Sequence, residues 1–257
     1  MLSGLNIREI EVKLRNNPPE FFLKACLEAK RSGVRRLAEK HLKNKQTALE
    51  EEKRIQRLLY EEKKLWNQGF LMLAGLDEAG RGSLAGSVVA AACILPAKFY
   101  LPGLNDSKKI SESRREKLCS EIKLQALDYS LGSAEPAEID ILNILEATKL
   151  AMKRALKGLR VRPHFLLIDA LELPVDLPQL SLTGGDGLSA SIAAASILAK
   201  VTRDRLMKEL HFLYPEYGFN SNKGYGTVEH IRVLERIGPC PLHRRSFAPV
   251  NQRVSNE

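Results

Sequence analysis

The apolar pattern of this chain changes period near residue 70, and that change limits the available folds more than any other feature. Before it, charged residues alternate with Leu and β-branched clusters are nearly absent, which predicts helices over residues 7–16, 19–31, 34–44 and 47–67. Pro18-Pro19 and Ser32-Gly33 separate the first three. Thr47 and Glu50, three apart, have the spacing of a capping box at the start of the fourth. From residue 70 onward, apolar runs of strand length (70–76, 87–95, 127–133, 164–168) alternate with helical stretches (111–126, 136–158, 188–213). Pro136 and Gly158 sit where helix chemistry favours them, at a start and an end. This alternation predicts an α/β domain over residues 70–257, preceded by an all-α segment over residues 1–69 and closed by a small helical and loop region rich in Gly, Pro and aromatic residues.

Charge and cysteine content narrow the classes. A chain of 257 residues with 40 Lys and Arg against 31 Asp and Glu carries a formal charge of +9, which points to a polyanionic partner. Arg31, Arg35, Arg36, Lys40 and Lys43 cluster in the helical segment, as either a solvated face or a nucleic-acid contact. Cys26, Cys93, Cys119 and Cys240 are scattered without a Cys-x-x-Cys pair, which argues against a zinc site and a disulfide framework. No apolar run has the length of a membrane span, and charges interleave the first 17 residues, so the expectation is a soluble, cytoplasmic protein with no membrane partner.

The acids carry the chemistry. The run over 70–76 leads into Asp77-Glu78 and then a Gly80-Arg81-Gly82 turn, and the run over 164–168 leads into Asp169. Two touching carboxylates repel by about 1 kcal/mol in water and roughly 4 at an effective dielectric of 20, so a hard cation is a natural partner. A plain polar strand exit is the competing reading. If the two strands are parallel neighbours, their ends meet. Asp186 stands in Thr183-Gly184-Gly185-Asp186-Gly187 before a long helix, as a helix-start acid or a third ligand position. That helix opens with Ser189, Ser191 and a run of alanines, small side chains that permit close approach to a sheet. Its serines and free N–H groups could meet phosphate.

Together these residues resemble bacterial ribonuclease HII. The resemblance runs in order through Asp-Glu-Ala-Gly-Arg-Gly-x-Leu-Ala-Gly at 77–86, Asp106-Ser107-Lys108-Lys109, Ile168-Asp169, Gly185-Asp186 with the helix to Asp204, Asn222-Lys223-Gly224-Tyr225-Gly226-Thr227, and Leu242-His243-Arg244-Arg245-Ser246-Phe247-Ala248-Pro249. The Gly80-Arg81-Gly82 turn looks like ribonuclease HII rather than ribonuclease HIII. The helical segment resembles an extension present in some bacterial members.

The resemblance implies a ribonuclease H-like mixed sheet flanked by helices. It implies an endoribonuclease that cuts the RNA strand of RNA–DNA hybrids and incises at ribonucleotides embedded in duplex DNA, giving 5′-phosphate and 3′-hydroxyl ends. Asp77, Glu78, Asp169 and Asp186 fall on the family's metal-site acids, for two ions of Mg²⁺ or Mn²⁺. Gly80, Arg81 and Gly82 fall on the turn that reads the 2′-hydroxyl, and Tyr225 on the tyrosine that packs against the adjacent deoxyribose. Lys108, Ser189, Ser191, Lys200, Lys223, Arg244 and Arg245 are candidates for phosphate contacts. His243 is read either as a backbone contact or as a turn cap, and Asp204 as the partner of a nearby cation. The enzyme is expected to act as a monomer, with the N-terminal helices adding duplex affinity. Two other classes stay open: a non-catalytic nucleic-acid binder, and another nuclease of the same fold such as a junction resolvase or integrase.

Overall fold

The computed structural model describes residue 2 and residues 4–254, the last two by their backbone. The chain divides into two compact units, Met1–Arg54 and Ile55–Glu257.

The first unit holds α1 (Ile7–Arg15), α2 (Glu20–Leu27) and most of α3 (Ser32–Leu58). Asn6 and Glu9 form a reciprocal capping box at the start of α1. Ile10, Leu14, Phe22, Cys26, Val34 and Ala38 make its core. α3 corrects the sequence reading: residues 34–44 and 47–67 are not separate helices. Neither Gly nor Pro interrupts residues 34–58, so the helix propagates through Thr47, and Gln46 bonds Glu50 across one turn inside it. The break comes later, at Leu59, before α4 (Tyr60–Asn67).

The second unit is built on one mixed sheet in the order β3-β2-β1-β4-β5. β1 (Leu73–Ala79) pairs antiparallel with β2 (Val88–Ile94), and β2 antiparallel with β3 (Asp128–Ala134). On its other side β1 runs parallel to β4 (Phe165–Asp169), and β4 parallel to β5 (Gln179–Leu182). β2 is buried at every position because it is covered on both faces, which explains its unbroken apolar run. Val88, Ala90, Ala92 and Ile94 pack with Ala147, Ala151 and Met152 of α7 (Ile144–Lys157). Ala91 and Cys93 pack with α5 (Glu112–Gln125) and α8 (Ala190–Leu213) on the opposite face. The helix expected over 136–158 is two, α6 (Pro136–Leu142) and α7. Asn143 takes φ +71° between them and its side chain caps the amides of Leu145 and Glu146. β5, a four-residue strand beside Pro178, carries no sequence signal of its own. α9 (Phe219–Asn222), α10 (Val228–Ile237) and α11 (Val250–Val254) complete the C-terminal region.

The small residues of α8 serve the sheet. A Cβ on Gly75 would lie 2.1 Å from the Ser191 backbone, so β1 and α8 touch main chain to main chain only because residue 75 is glycine.

The compositional break at residue 70 is not where the compact units divide. Ile55, Leu58 and Leu59 belong to the same buried cluster as Ala193 and Ile197 of α8, and Leu65 packs with Leu73, Leu167 and Ile192. Deleting residues 1–54 should therefore leave a cooperatively folding protein. Deleting residues 1–69 should cost several large buried side chains, each worth about 2–5 kcal/mol, and abolish the cooperative transition in a thermal melt.

Candidate active site

The parallel pairing of β1 and β4 places the acids. Leu76 is in register with Ile168, so Asp77 and Asp169 stand one residue further along neighbouring strands, on the side of the sheet covered by α8. β1 does not end before Asp77, as the apolar run suggests. It continues to Ala79 because β2 supplies partners for Asp77, Glu78 and Ala79. The carboxylates are thus held by strand geometry on one side and open beyond the end of β4 on the other.

A cleft of about 650 Å³ opens there, lined by Asp77, Glu78, Ala79, Gly80, Arg81, Gly82, Ser107, Lys108, Asp169, Ser196, Lys200 and Tyr225. Burial, then repulsion from Glu78 and from Asp169, pushes the Asp77 carboxyl well above the ordinary range; a hydrogen bond from Ser196 opposes this in part. Glu78 is also raised, chiefly by burial, with Arg81 and Lys108 drawing it back down. The Arg81 guanidinium stands 3.4 Å from Glu78 Oε1, while Oε2 is buried with no hydrogen-bond partner. Asp169 Oδ1 accepts the Gly185 amide at 2.7 Å, which ties β4 to the turn carrying Asp186. Asp186 does not line the cleft. Its carboxyl is pushed up to about 6 by burial and by repulsion from Asp106 and Asp169. Burial raises Asp106, but the Lys108 amide at 2.8 Å, a proton held by the neighbouring Asp186 and the Lys109 ammonium at 3.5 Å outweigh it and leave it below the usual carboxylate range. Among the described residues no three His, Cys, Asp or Glu side chains form a ready-made cage.

The Gly80-Arg81-Gly82 turn and the loop after it are braced from behind by two fully buried arginines. Arg244 donates to the carbonyls of Gly80 (2.7 Å), Arg81 (2.8 Å) and Gly86 (3.0 and 2.8 Å). Arg203 donates to Ser87 O (3.0 Å), Ala85 O (3.1 Å) and Lys223 O (2.9 Å). Gly80 has φ +97°, and a Cβ there would sit 2.0 Å from the Arg203 Nε, so the turn and its brace fit only around glycine. Tyr225 presents its ring at the cleft, with Lys200 Nζ 5.6 Å and the Arg203 guanidinium 5.4 Å from the ring centre.

Several residues expected to meet phosphate do something else. Ser189 and Ser191 are buried; the Ser189 hydroxyl donates to Glu62 Oε1 and accepts the Ile192 amide, so neither serine faces solvent. Arg244 spends its donors on backbone. Lys223 is buried and its ammonium bonds the Asn220 carbonyl. His243 is 2% exposed and takes the turn-closing role: its Nδ1 accepts the Cys240 amide at 3.0 Å. Lys108 and Arg245 are exposed, and Lys200 is half-buried, 2.7 Å from Asp204. Asp204 is the expected partner of cations, Lys200 and Arg115. Sequence reasoning missed Asp106, Ser196 and Arg203, all inside motifs it singled out, and Glu62.

His243 and His230 form one wire. With the Cys240 amide donating to His243 Nδ1, the His243 proton is on Nε2, directed at His230 Nε2 3.0 Å away; His230 then donates from Nδ1 to the Tyr225 carbonyl at 2.9 Å. Burial pushes His243 down to about 4, helped by His230, and burial also lowers His230. Since the folded values lie below the ordinary 6.5, the fold excludes protons that the unfolded chain binds. These groups cost nothing above that value, and stability declines as pH falls from it toward 4. An imidazole NMR titration should keep His243 neutral at pH 5.5; titration of its ring near 6.5 would contradict this wiring.

Comparison with known proteins bears on this geometry. The family described as Ribonuclease HII matches residues 74–250, and the one described as Ribonuclease HII N-terminal domain matches residues 6–66. The chain is 63% identical to ribonuclease HII of Desulfitobacterium hafniense (strain Y51) over 254 residues, 98% of each chain. It is 51% identical over 263 residues to ribonuclease HII of Pelotomaculum thermopropionicum, covering 100% of this chain and 98% of that one. Among solved structures, ribonuclease H2 from Pyrococcus horikoshii OT3 superposes with a TM-score of 0.62 at 26% identity, over 72% of this chain and 98% of that chain.

Proposed function

We propose, from the premise that the chain belongs to the ribonuclease HII family and is an endoribonuclease, that it hydrolyses the RNA strand of RNA–DNA hybrids and incises at single ribonucleotides embedded in duplex DNA, leaving 5′-phosphate and 3′-hydroxyl ends. The observation that carries this reading is the cleft in which Asp77, Glu78 and Asp169 stand beside the Gly80-Arg81-Gly82 turn and Tyr225. Such an activity would serve ribonucleotide excision repair and DNA replication, with a single chain seated on the duplex.

The donor set fits two hard divalent ions, Mg²⁺ or Mn²⁺. All its ligand atoms are carboxylate oxygens. Burial and mutual repulsion destabilise Asp77, Glu78 and Asp186 as anions, and Glu78 Oε2 is buried without a partner. Asp77, Glu78, Asp169 and Asp186 would hold them. Bound there, such ions would lower the pKa of an attacking water and neutralise charge on the departing 3′-oxygen.

The remaining work falls to the chain itself. Arg244 draws the carbonyls of Gly80 and Arg81 toward itself, and peptide planarity turns the amides of Arg81 and Gly82 the opposite way. These N–H groups are donors for a 2′-oxygen, the atom that separates RNA from DNA. Tyr225 offers a face for the neighbouring deoxyribose, and a flat ring at that position disfavours a second 2′-hydroxyl. Lys108 and Lys200 stand at the cleft as counter-charges for phosphate, which positions a duplex without reading its sequence. In the first unit, exposed Arg35, Arg36, Lys40 and Lys43 add non-specific duplex affinity.

The test is a labelled duplex containing one ribonucleotide, with Mg²⁺ or Mn²⁺, beside an all-deoxyribose control. The expected result is a single incision beside the ribonucleotide and none in the control. No incision by folded protein would leave only a binding module. Equal incision of the control would assign the cleft to another nuclease chemistry.

A further inference from the structure

Glu62 is a carboxylate that the reading above does not use. It lies in the first turn of α4, is completely buried, and its Oε1 accepts two hydrogen bonds from the start of α8: from Ser189 Oγ at 2.6 Å and from the Ser191 amide at 2.8 Å. Its Oε2 is buried with no hydrogen-bond partner. A carboxylate enclosed this way is costly to bury, and the N-terminal dipole of a 24-residue helix offsets only part of that cost. Ser189 accepts the Ile192 amide at 3.2 Å and Glu62 the Ser191 amide, so the two share the capping of α8.

What Glu62 does fix is the turn before the helix. The Ser189 amide donates to Gly185 O at 2.8 Å, and the Gly185 amide donates to Asp169 Oδ1 at 2.7 Å. Asp186 sits between those two anchors. One end of its turn is pinned to β4 by Asp169; the other is pinned to α4 through Ser189 and Glu62.

We propose that Glu62 is a positioning residue for the carboxylate site: by clamping Ser189 it sets where Asp186 is presented to a divalent ion. This makes the last helix before the sheet part of the site's scaffold, although it contributes no ligand. The inference rests on the proposed role of Asp186 as a metal ligand.

The test measures Mn²⁺ binding to the full-length protein by electron paramagnetic resonance of the free ion, together with the incision rate and duplex affinity. Glu62→Ala should raise the half-saturating Mn²⁺ concentration about tenfold, the scale for losing an outer partner of a ligand. Incision should fall at limiting Mn²⁺ and recover toward wild type as Mn²⁺ is raised, with duplex affinity unchanged. Glu62→Gln keeps an acceptor oxygen for both donors and should restore wild-type Mn²⁺ binding. Ser189→Ala, a gentler change if Glu62→Ala fails to fold, should shift binding in the same direction by less. Asp186→Asn is the reference. If it binds Mn²⁺ like wild type, the ligand role of Asp186 fails and the inference falls with it. If Asp186→Asn weakens binding while Glu62→Ala (or Ser189→Ala) lowers only the melting temperature, Glu62 is a structural prop and the inference is overturned. Equal weakening by Glu62→Gln and Glu62→Ala would overturn it as well, since charge rather than clamping would then be responsible.

Discussion

Asp77→Asn should eliminate incision while the protein still binds duplex. Asn keeps the shape and one acceptor oxygen of Asp but not the charge that a divalent ion requires. Losing about 4 kcal/mol of transition-state stabilisation corresponds to roughly a thousandfold in rate. The stability change has the opposite sign. The Asp77 carboxyl is raised by burial and by its neighbours, so its ionisation at neutral pH weighs against the fold; that penalty is absent at low pH and is complete once pH exceeds the raised value. Asp77→Asn should therefore melt higher than wild type without divalent ions. Added Mg²⁺ should raise the wild-type melting temperature and leave the variant's nearly unchanged. Rate and stability measured together separate an acid kept for a cation from an acid kept for structure. A variant that cuts near the wild-type rate, or that melts lower, would assign Asp77 to the scaffold.

Arg244→Met has the second large effect, and it distinguishes two roles for one residue. As a phosphate contact, Arg244 would matter to affinity and salt dependence but little to stability. The geometry makes it the brace of the Gly80-Arg81-Gly82 turn, with four hydrogen bonds to the carbonyls of Gly80, Arg81 and Gly86. Gly80 O keeps the Ser83 amide, so two buried acceptors are left unpaired; at about 1–3 kcal/mol each the variant should lose roughly 2–6 kcal/mol and melt about 5–20 °C lower. Arg244→Lys should not rescue it, because an ammonium cannot reproduce a planar fork with several donors. In whatever fraction folds, preference for ribose over deoxyribose at the cut site should fall more than duplex affinity. Unchanged stability with a reduced salt slope would return Arg244 to the phosphate role.

The sheet was legible because its strands are buried on both faces: the runs around Leu76, Ala92 and Leu167 are apolar without alternation, and helical stretches stand between them. The meeting of Asp77 and Asp169 was legible for the same reason, each acid lying at the end of such a run. The sequence makes β1 look too short because polar residues resemble an exit, whereas antiparallel pairing to Val89 and Ala90 carries the strand past them. Asp106 carries no local signal, because its approach to Asp186 depends on Phe99, Leu101 and Leu104 packing the preceding loop into the core, a long-range matter. The misplacing of Ser189, Ser191, Lys223 and Arg244 has one cause. Polar residues in motifs near a catalytic strand suggest solvent and substrate, and nothing local says that a serine will bond a buried glutamate or that an arginine will be enclosed. Buried arginines that satisfy backbone carbonyls leave no periodic trace in the sequence, which is why Arg203 went unseen.

The central claim is that Asp77, Glu78, Asp169 and Asp186 gather divalent ions where the Gly80-Arg81-Gly82 turn delivers a ribose-linked phosphate. Anomalous diffraction from the protein crystallised with Mn²⁺ and a duplex containing one ribonucleotide tests it most directly. Manganese peaks bounded by those four carboxylates are expected, with the 2′-hydroxyl against the amides of residues 81 and 82. Manganese held elsewhere, or no peak among these acids with the duplex seated in the cleft, would contradict it.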